Sequence, residues 1–233
     1  MKNDILCIIP ARKGSKGLKN KNIKNLNGKP LIAWSILAAK KSKYIKKIIV
    51  STDCEKIAKI SKKFGAEVPF KRPKKYARDN SSSFSVIKHA LDFFRKKNFF
   101  YRYIILLEPT SPIRQVKDID YCIKKILNNK VDTIVSVSKV INQHPSFLYY
   151  LTKKKILKPY QKKKVKTYLR RQDISSLYYL DGSIYISNVN IYLKKKTFNH
   201  EKTEAFIVDQ VKALEIDTLY DFKLAQLLIG RKL

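Results

Sequence analysis

The sequence predicts an α/β fold: a mainly parallel sheet with helices on both faces. Three observations lead there. Several short apolar runs lack polar alternation, as strands buried on both faces do. Segments with apolar residues at helical spacing separate those runs, and the loops that follow the runs collect the glycines, prolines and charges.

Taken in order, Ile5-Leu6-Cys7-Ile8-Ile9 is the first such run and stops at Pro10. A polar loop follows, through Asn27-Gly28-Lys29-Pro30, and Leu31 to Ala39 has helical spacing. Ile48-Ile49-Val50 reads as a second buried strand ending at Ser51-Thr52-Asp53, with a helix from Glu55 to Phe64 behind it. A helix from about Ser83 to Lys96 leads to a strand at Tyr103 to Leu107. Another from Val116 to Leu127 leads to a strand at Thr133 to Val137. Regularity then fails between about Val140 and Asp181, which hold two lysine triplets and a weak hairpin pattern. That stretch reads as an insertion, about 140–181, in a single domain of residues 1–233. Ser183 to Ser187 shows the period of two of a strand, Ala205 to Asp217 reads as a further strand region, and Leu219 to Ile229 as a closing helix.

The chain of 233 residues carries 51 Lys+Arg against 18 Asp+Glu, a net charge of +33. Most of the basic residues are lysines spread in doublets and triplets along the whole chain. A nucleic-acid groove concentrates arginine on one face, so the pattern predicts solvated faces and no specific nucleic-acid partner. Cys7, Cys54 and Cys122 are odd in number and widely spaced, which excludes a disulfide framework or a zinc ribbon and suits a reducing compartment. No apolar run approaches a membrane span. A soluble, cytoplasmic protein without a membrane partner is expected.

Ligands of open α/β sheets gather at the carboxyl ends of the strands. The first strand runs into Ala11-Arg12-Lys13-Gly14-Ser15-Lys16-Gly17, with Lys19, Lys21 and Asn22 beyond. Glycines admit an anion close to backbone N–H groups and the basic side chains neutralise it, so this loop suits a polyphosphate, or else is a lysine-rich surface turn. Neither GxxxxGK[ST] nor GxGxxG is present. The strand at Ile104 to Leu107 runs into Glu108-Pro109-Thr110-Ser111-Pro112-Ile113-Arg114, whose prolines stiffen either a pocket rim or a tight turn. Near the carboxyl end, Glu215-Ile216-Asp217 would put two carboxylates on one face if extended. Two hard oxygen ligands without His or Cys suggest magnesium; the alternative is that Asp217 caps the closing helix while Glu215 is solvated. Together these loops point to nucleotide chemistry, and on their own they name neither base nor acceptor.

In this order, the segments resemble the acylneuraminate cytidylyltransferases, the CMP-sialic acid synthetases, along nearly the whole chain. The matching residues are Ile8 to Arg12 with Gly14 to Gly17, Lys21-Asn22, Asn27 to Leu31, Val50 to Asp53, Arg72-Pro73, Ser81 to Ser83, Leu107 to Pro112, Arg171 to Asp173, Gly182 to Ile186 and Glu215 to Thr218. The resemblance implies a three-layer α/β/α, Rossmann-like nucleotidyltransferase fold with a mixed sheet. It also implies magnesium-dependent transfer of CMP from CTP to the anomeric hydroxyl of a nonulosonic acid, with release of pyrophosphate, in a homodimer joined by the inserted arm. By position, Arg12, Ser15 and Lys21 are implied to bind the triphosphate and Asn22, Arg72 and Ser83 the cytidine. Glu108, Arg171 and Gln172 fall on the sugar side, and Glu215 and Asp217 at the metal. Arg12, Lys21 and Asp217 are the expected catalytic set.

Two positions depart from the pattern: the family often has Gln where Glu108 stands and usually Asp where Glu215 stands. Asp181-Gly182-Ser183 likewise replaces the commoner Asn-Gly-Ala. These bear on which sugar acid is used, and Ser-Ile-Tyr-Ile after Gly182 favours the neuraminate or legionaminate branch. The competing expectations are a cytidylyltransferase for an eight-carbon 3-deoxy sugar acid, a basic nucleic-acid-binding protein, and a relative that binds nucleotide without turnover.

Overall fold

In the computed structural model, which describes residues 5–15, 17–128, 131–160 and 174–230, the first apolar run forms β1 (Ile5–Pro10), an interior strand of a six-stranded sheet. The other strands are β2 (Asn25–Leu26), β3 (Lys29–Pro30), β4 (Lys47–Ser51), β5 (Tyr103–Leu106), β6 (Thr133–Lys139), β7 (Tyr149–Leu151), β8 (Leu157–Pro159), β9 (Tyr178–Asn188) and β10 (Thr203–Ile207). Six α-helices accompany them among the described residues: α1 (Leu31–Lys41), α2 (Glu55–Lys63), α3 (Ser83–Arg95), α4 (Val116–Leu127), α5 (Val189–Lys195) and α6 (Leu219–Gly230).

The large sheet runs in the order β10-β6-β9-β5-β1-β4. Because successive strand residues face opposite sides, each buried strand serves two cores. Cys7, Ile9 and Ile105 pack with Ile32 and Ile36 of α1 and with Ile119 and Ile123 of α4. Leu6, Ile8 and Ile104 pack on the other side with Ile87 and Leu91 of α3 and Tyr192 of α5. The three layers expected from the sequence are present, and unbroken apolar runs are what a sheet covered on both faces requires.

Four features differ from the sequence reading. First, β9 runs antiparallel to both β5 and β6, between them. Period two in Ser183–Ser187 announced a strand but carries no information about its direction. Second, β9 starts at Tyr178, so its first residues pair with the end of β6 inside the stretch expected to be irregular. The hairpin expected there is β7–β8. Third, the polar loop is a two-residue hairpin, β2–β3, whose Asn27 and Gly28 have φ of 48° and 85°. Positive φ at both central positions is the geometry that Asn-Gly favours. Fourth, β10 ends at Ile207, so Glu215 and Asp217 lie in the loop beyond it, and α5 had gone unpredicted. That helix is a single short stretch nucleated by its cap: the Asn188 side chain accepts from the N–H groups of Asn190 and Ile191.

The sheet bulges where β9 passes β6. Val135 faces Tyr185 and Val137 faces Leu180, so Asp181 to Ile184 loop out opposite Ser136. The Asp181 carboxylate ties this bulge: it accepts from the Ser136 hydroxyl and, at 2.9 Å, from the Ser183 N–H, while Ser136 Oγ accepts from the Ile184 N–H at 2.8 Å. Gly182, at φ 72°, turns the chain there.

Ile105 is fully buried at the centre of β5. Ile105→Ala should lower the unfolding free energy by about 2–5 kcal/mol in a urea titration while leaving a single transition.

Candidate active site

Every strand parallel to β1 ends on the same edge of the sheet, and the loops leaving that edge build two adjoining clefts. The loop after β1 is fixed by the Ala11 N–H to the Ser51 carbonyl (2.9 Å) and the Lys13 N–H to the Asp53 carboxylate (3.0 Å). Arg12 leaves this loop to pair with Asp79. Its carbonyl accepts from the amide of buried Asn22 at 3.1 Å. Asn22 therefore shapes the loop that carries Arg12, and Ser15 lies half-buried in the same loop.

Arg72 is buried at the end of β4. Its guanidinium donates to the Ser51 hydroxyl (3.1 Å) and to the Ser51 carbonyl. Burial lowers its pKa to about 10, with Asp53 opposing and Arg12 adding to the shift, so it stays cationic at neutral pH. Arg12, Arg72, Tyr76, Arg78 and Ser83 line the first cleft, floored by Pro10 and Leu106. Three side chains expected to meet the nucleotide thus share one concavity, and Arg78 and Tyr76 join them. No pattern from Tyr76 to Asn80 pointed to these two beforehand. Ser83 opens α3 behind the N-cap Ser82, whose side chain accepts from the Ser85 N–H.

The second cleft shares Ser83 and Leu106 with the first and is walled by Phe84, Glu108, Tyr185 and Phe198. Burial and then the charge of Glu215 push the Glu108 carboxyl up to about 7, against the pull of Arg114 and Lys21. Arg171 and Gln172, the other residues expected on this side, lie outside the described residues.

The acidic pair reaches this edge from the far end of the chain. Ile216 is fully buried among Leu26, Leu31 and Phe222, and its N–H donates to the Thr110 carbonyl at 2.8 Å. Glu215 and Asp217 flank this anchor. Glu215 Oε1 accepts from the Thr110 hydroxyl at 3.1 Å. Burial and the charge of Asp217 raise the Glu215 pKa, with Thr110 and Lys21 pulling the other way. Lys21 Nζ donates to Asp217 Oδ1 at 2.8 Å and to the Ile216 carbonyl at 2.7 Å.

Gly17 lies so close that a β-carbon there would sit 2.3 Å from the Asp217 carbonyl oxygen. The cationic loop and the carboxylate pair therefore meet at one place. Asp217 is not the cap of the closing helix. Thr218 and Asp221 form a reciprocal capping box, the Thr218 N–H donating to Asp221 Oδ2 (2.7 Å) and the Asp221 N–H to Thr218 Oγ1 (3.3 Å). Among the described residues no three His, Cys, Asp or Glu side chains group closely enough to hold a metal. Any cation here would rest on two carboxylates and complete its shell from ligand and water.

The chain is similar to known proteins in sequence and in fold. Residues 6–229 match the cytidylyltransferase family. The N-acylneuraminate cytidylyltransferase of Escherichia coli O18:K1:H7 (strain RS218 / NMEC) is 37% identical over 97% of this chain, which spans only 52% of that longer protein. The CMP-N,N'-diacetyllegionaminic acid synthase of Legionella pneumophila is 34% identical over 97% of this chain and 96% of its own length. The solved structure of a CMP:2-keto-3-deoxy-manno-octonic acid synthetase complexed with CTP superposes with a TM-score of 0.72, covering 99% of this chain and all of the other at 14% identity, which shows a shared fold. With its family match spanning nearly all of the sequence and its two clefts at the carboxyl edge of the sheet, the chain belongs to the cytidylyltransferase family.

Proposed function

We propose that the chain transfers CMP from CTP to the anomeric hydroxyl of a nonulosonic acid, N-acetylneuraminate or a close analogue such as legionaminate, and releases pyrophosphate. One observation carries this above all: the 2.8 Å contact between Lys21 and Asp217, which joins the phosphate-suited loop to the carboxylate pair. The names of the two relatives support the acceptor class.

The cytidine lies in the cleft of Arg72, Arg78 and Ser83, with its triphosphate along Arg12, Ser15 and Lys21. Arg12 exchanges Asp79 for phosphate, and Lys21 keeps a third N–H for it. The sugar acid occupies the second cleft against Glu108 and Tyr185. Held so, its anomeric hydroxyl attacks the α-phosphorus in line with the bond to the leaving pyrophosphate: one P–O bond forms, the α–β bridge breaks, and the hydroxyl proton passes to water.

Glu215 and Asp217 fit magnesium, being hard oxygen donors that repel each other and are faced by the Lys21 ammonium. When bound, the ion supplies charge stabilisation to the phosphoryl oxygens. The reaction belongs in the cytoplasm, where CTP is made; no helix among the described residues is long and apolar enough to cross a membrane.

The arm supports a homodimer. Tyr150, Leu151, Leu157 and Tyr178 on β7, β8 and the start of β9 are 47–67% exposed, an apolar surface that a second copy would cover. Leu151→Ser with Leu157→Ser should convert a dimer to a monomer in sedimentation velocity without lowering the melting temperature of the core. A wild-type monomer would overturn the assignment.

Mixing protein, CTP and magnesium with N-acetylneuraminate, legionaminate, pseudaminate and 3-deoxy-octulosonate should release pyrophosphate with one of the first two. Asp217→Asn should cut that rate by about 100-fold or more with the melting temperature unchanged. Near-normal turnover would remove Asp217 from the site, and silence with every acid would favour nucleotide binding alone.

Glu108 predicts a pH dependence of stability. Below its ordinary value of 4.5 the carboxyl is protonated folded or unfolded; between there and about 7 the unfolded chain ionises while the folded one keeps the proton. Rising pH therefore destabilises the fold across that window. Glu108→Gln should add about 1–3 kcal/mol at pH 8 and little at pH 4, read from urea melts at both pH values.

A further inference from the structure

Arg114 ends the segment Glu108-Pro109-Thr110-Ser111-Pro112-Ile113-Arg114 and is only 6% exposed. Its guanidinium spends all three nitrogens inside the protein. Nε donates to the Ser183 carbonyl at 2.8 Å, Nη1 to the Ser35 hydroxyl at 2.5 Å, and Nη2 to the Glu108 carbonyl at 2.6 Å. These acceptors belong to β9, α1 and the loop after β5. Among the described residues its hydrogen bonds all go to neutral oxygens. Glu108, Asp181 and Glu215 act on it only through space, and burial lowers its pKa to about 10, which leaves it charged.

A buried cation without a hydrogen-bonded carboxylate is a poor way to stabilise a fold; an apolar side chain of similar volume commonly does as well or better. Its placement explains it instead. One carbonyl it holds is that of Glu108, whose side chain walls the second cleft. Another is that of Ser183, directly after Gly182, whose α-carbon faces Ser111 Oγ and Glu215 Oε1 closely enough that a β-carbon would lie 3.3–3.4 Å from both. Because the guanidinium is a rigid planar fork, the distance between its donors fixes the distance between those two walls.

We infer that Arg114 is a positioning residue for the acceptor: its fork sets the Glu108 peptide and the β9 bulge at one spacing, and so presents the Glu108 carboxylate to the sugar acid. This rests on the transfer reaction proposed above and adds a residue to it. Arg114 touches no substrate and acts through Glu108.

The test is initial-rate kinetics in which acceptor and CTP are varied separately, with thermal unfolding of each variant. Arg114→Lys keeps the charge and loses the fork. Ser35→Ala removes one anchor behind the site and serves even if the first variant folds poorly. Arg114→Lys should raise the acceptor KM about tenfold and Ser35→Ala about threefold, with the CTP KM within about twofold of wild type. In a Glu108→Ala background the same substitutions should shift the acceptor KM less than about twofold, since the residue they act through is gone. Acceptor and CTP constants that rise together, an unchanged acceptor KM, or an undiminished effect in the Glu108→Ala background would each overturn the assignment and leave the transfer reaction standing. A wild-type protein silent with every sugar acid would overturn both.

Discussion

Ile216 is the pin on which the site hangs. Its side chain is enclosed by a small apolar cluster away from the two main cores, its N–H is bound by the Thr110 carbonyl, and its own carbonyl accepts from Lys21. Residues nearly two hundred positions apart are brought together by that one residue. Burying the isoleucine contributes on the order of 2 kcal/mol, and each hydrogen bond adds to the closure. Its two flanking carboxylates could not be held where they are by their own chemistry, because the charge of Asp217 raises the cost of charging Glu215. The apolar residue between them supplies what they lack.

The electrostatics of the edge set charges of both signs side by side. Glu108 and Glu215 face Lys21 and Arg114 in a partly dewatered setting that raises both their pKa values, while Asp217 is exposed beside Lys21. Arg12 and Lys21 meanwhile have carboxylate partners of their own. A nucleotide triphosphate can displace such partners, since phosphate offers more acceptor oxygens than a carboxylate. The large positive charge of the whole molecule lies mostly elsewhere, on solvated lysines, and does not define the clefts.

What the sequence disclosed follows from which forces are local. Strands buried on both faces must be apolar throughout, so β1, β4 and β5 were legible, as was the Glu215-Ile216-Asp217 pattern of two polar residues about a buried one. The direction of β9 was not, because pairing partners are chosen by tertiary packing. Nor was the short α5, whose β-branched residues argue weakly for helix. At the site, Arg12, Lys21, Glu215 and Asp217 stood out by composition and the structure brings them to one edge. Asn22 and Arg72 were singled out as base-recognising groups, yet each spends hydrogen bonds on the local backbone, on the Arg12 and Ser51 carbonyls. Tyr76 and Arg78 join the first cleft without any motif to announce them. Arg114 was visible only as the end of a matching segment, since two of its three acceptors are main-chain carbonyls and no residue type identifies a carbonyl.

The course of β9 carries a mechanical consequence. Exposed tyrosine and leucine side chains at its beginning are followed directly by Asp181 and Gly182, and the same strand then continues between β6 and β5 in the middle of the sheet. The bulge at Asp181 to Ile184, cross-tied by the Asp181 carboxylate, lies between the two parts. A force applied at the outer end of this strand reaches the rim of the second cleft through that tied bulge. Whatever grips the outer end of β9 thereby grips one wall of that cleft.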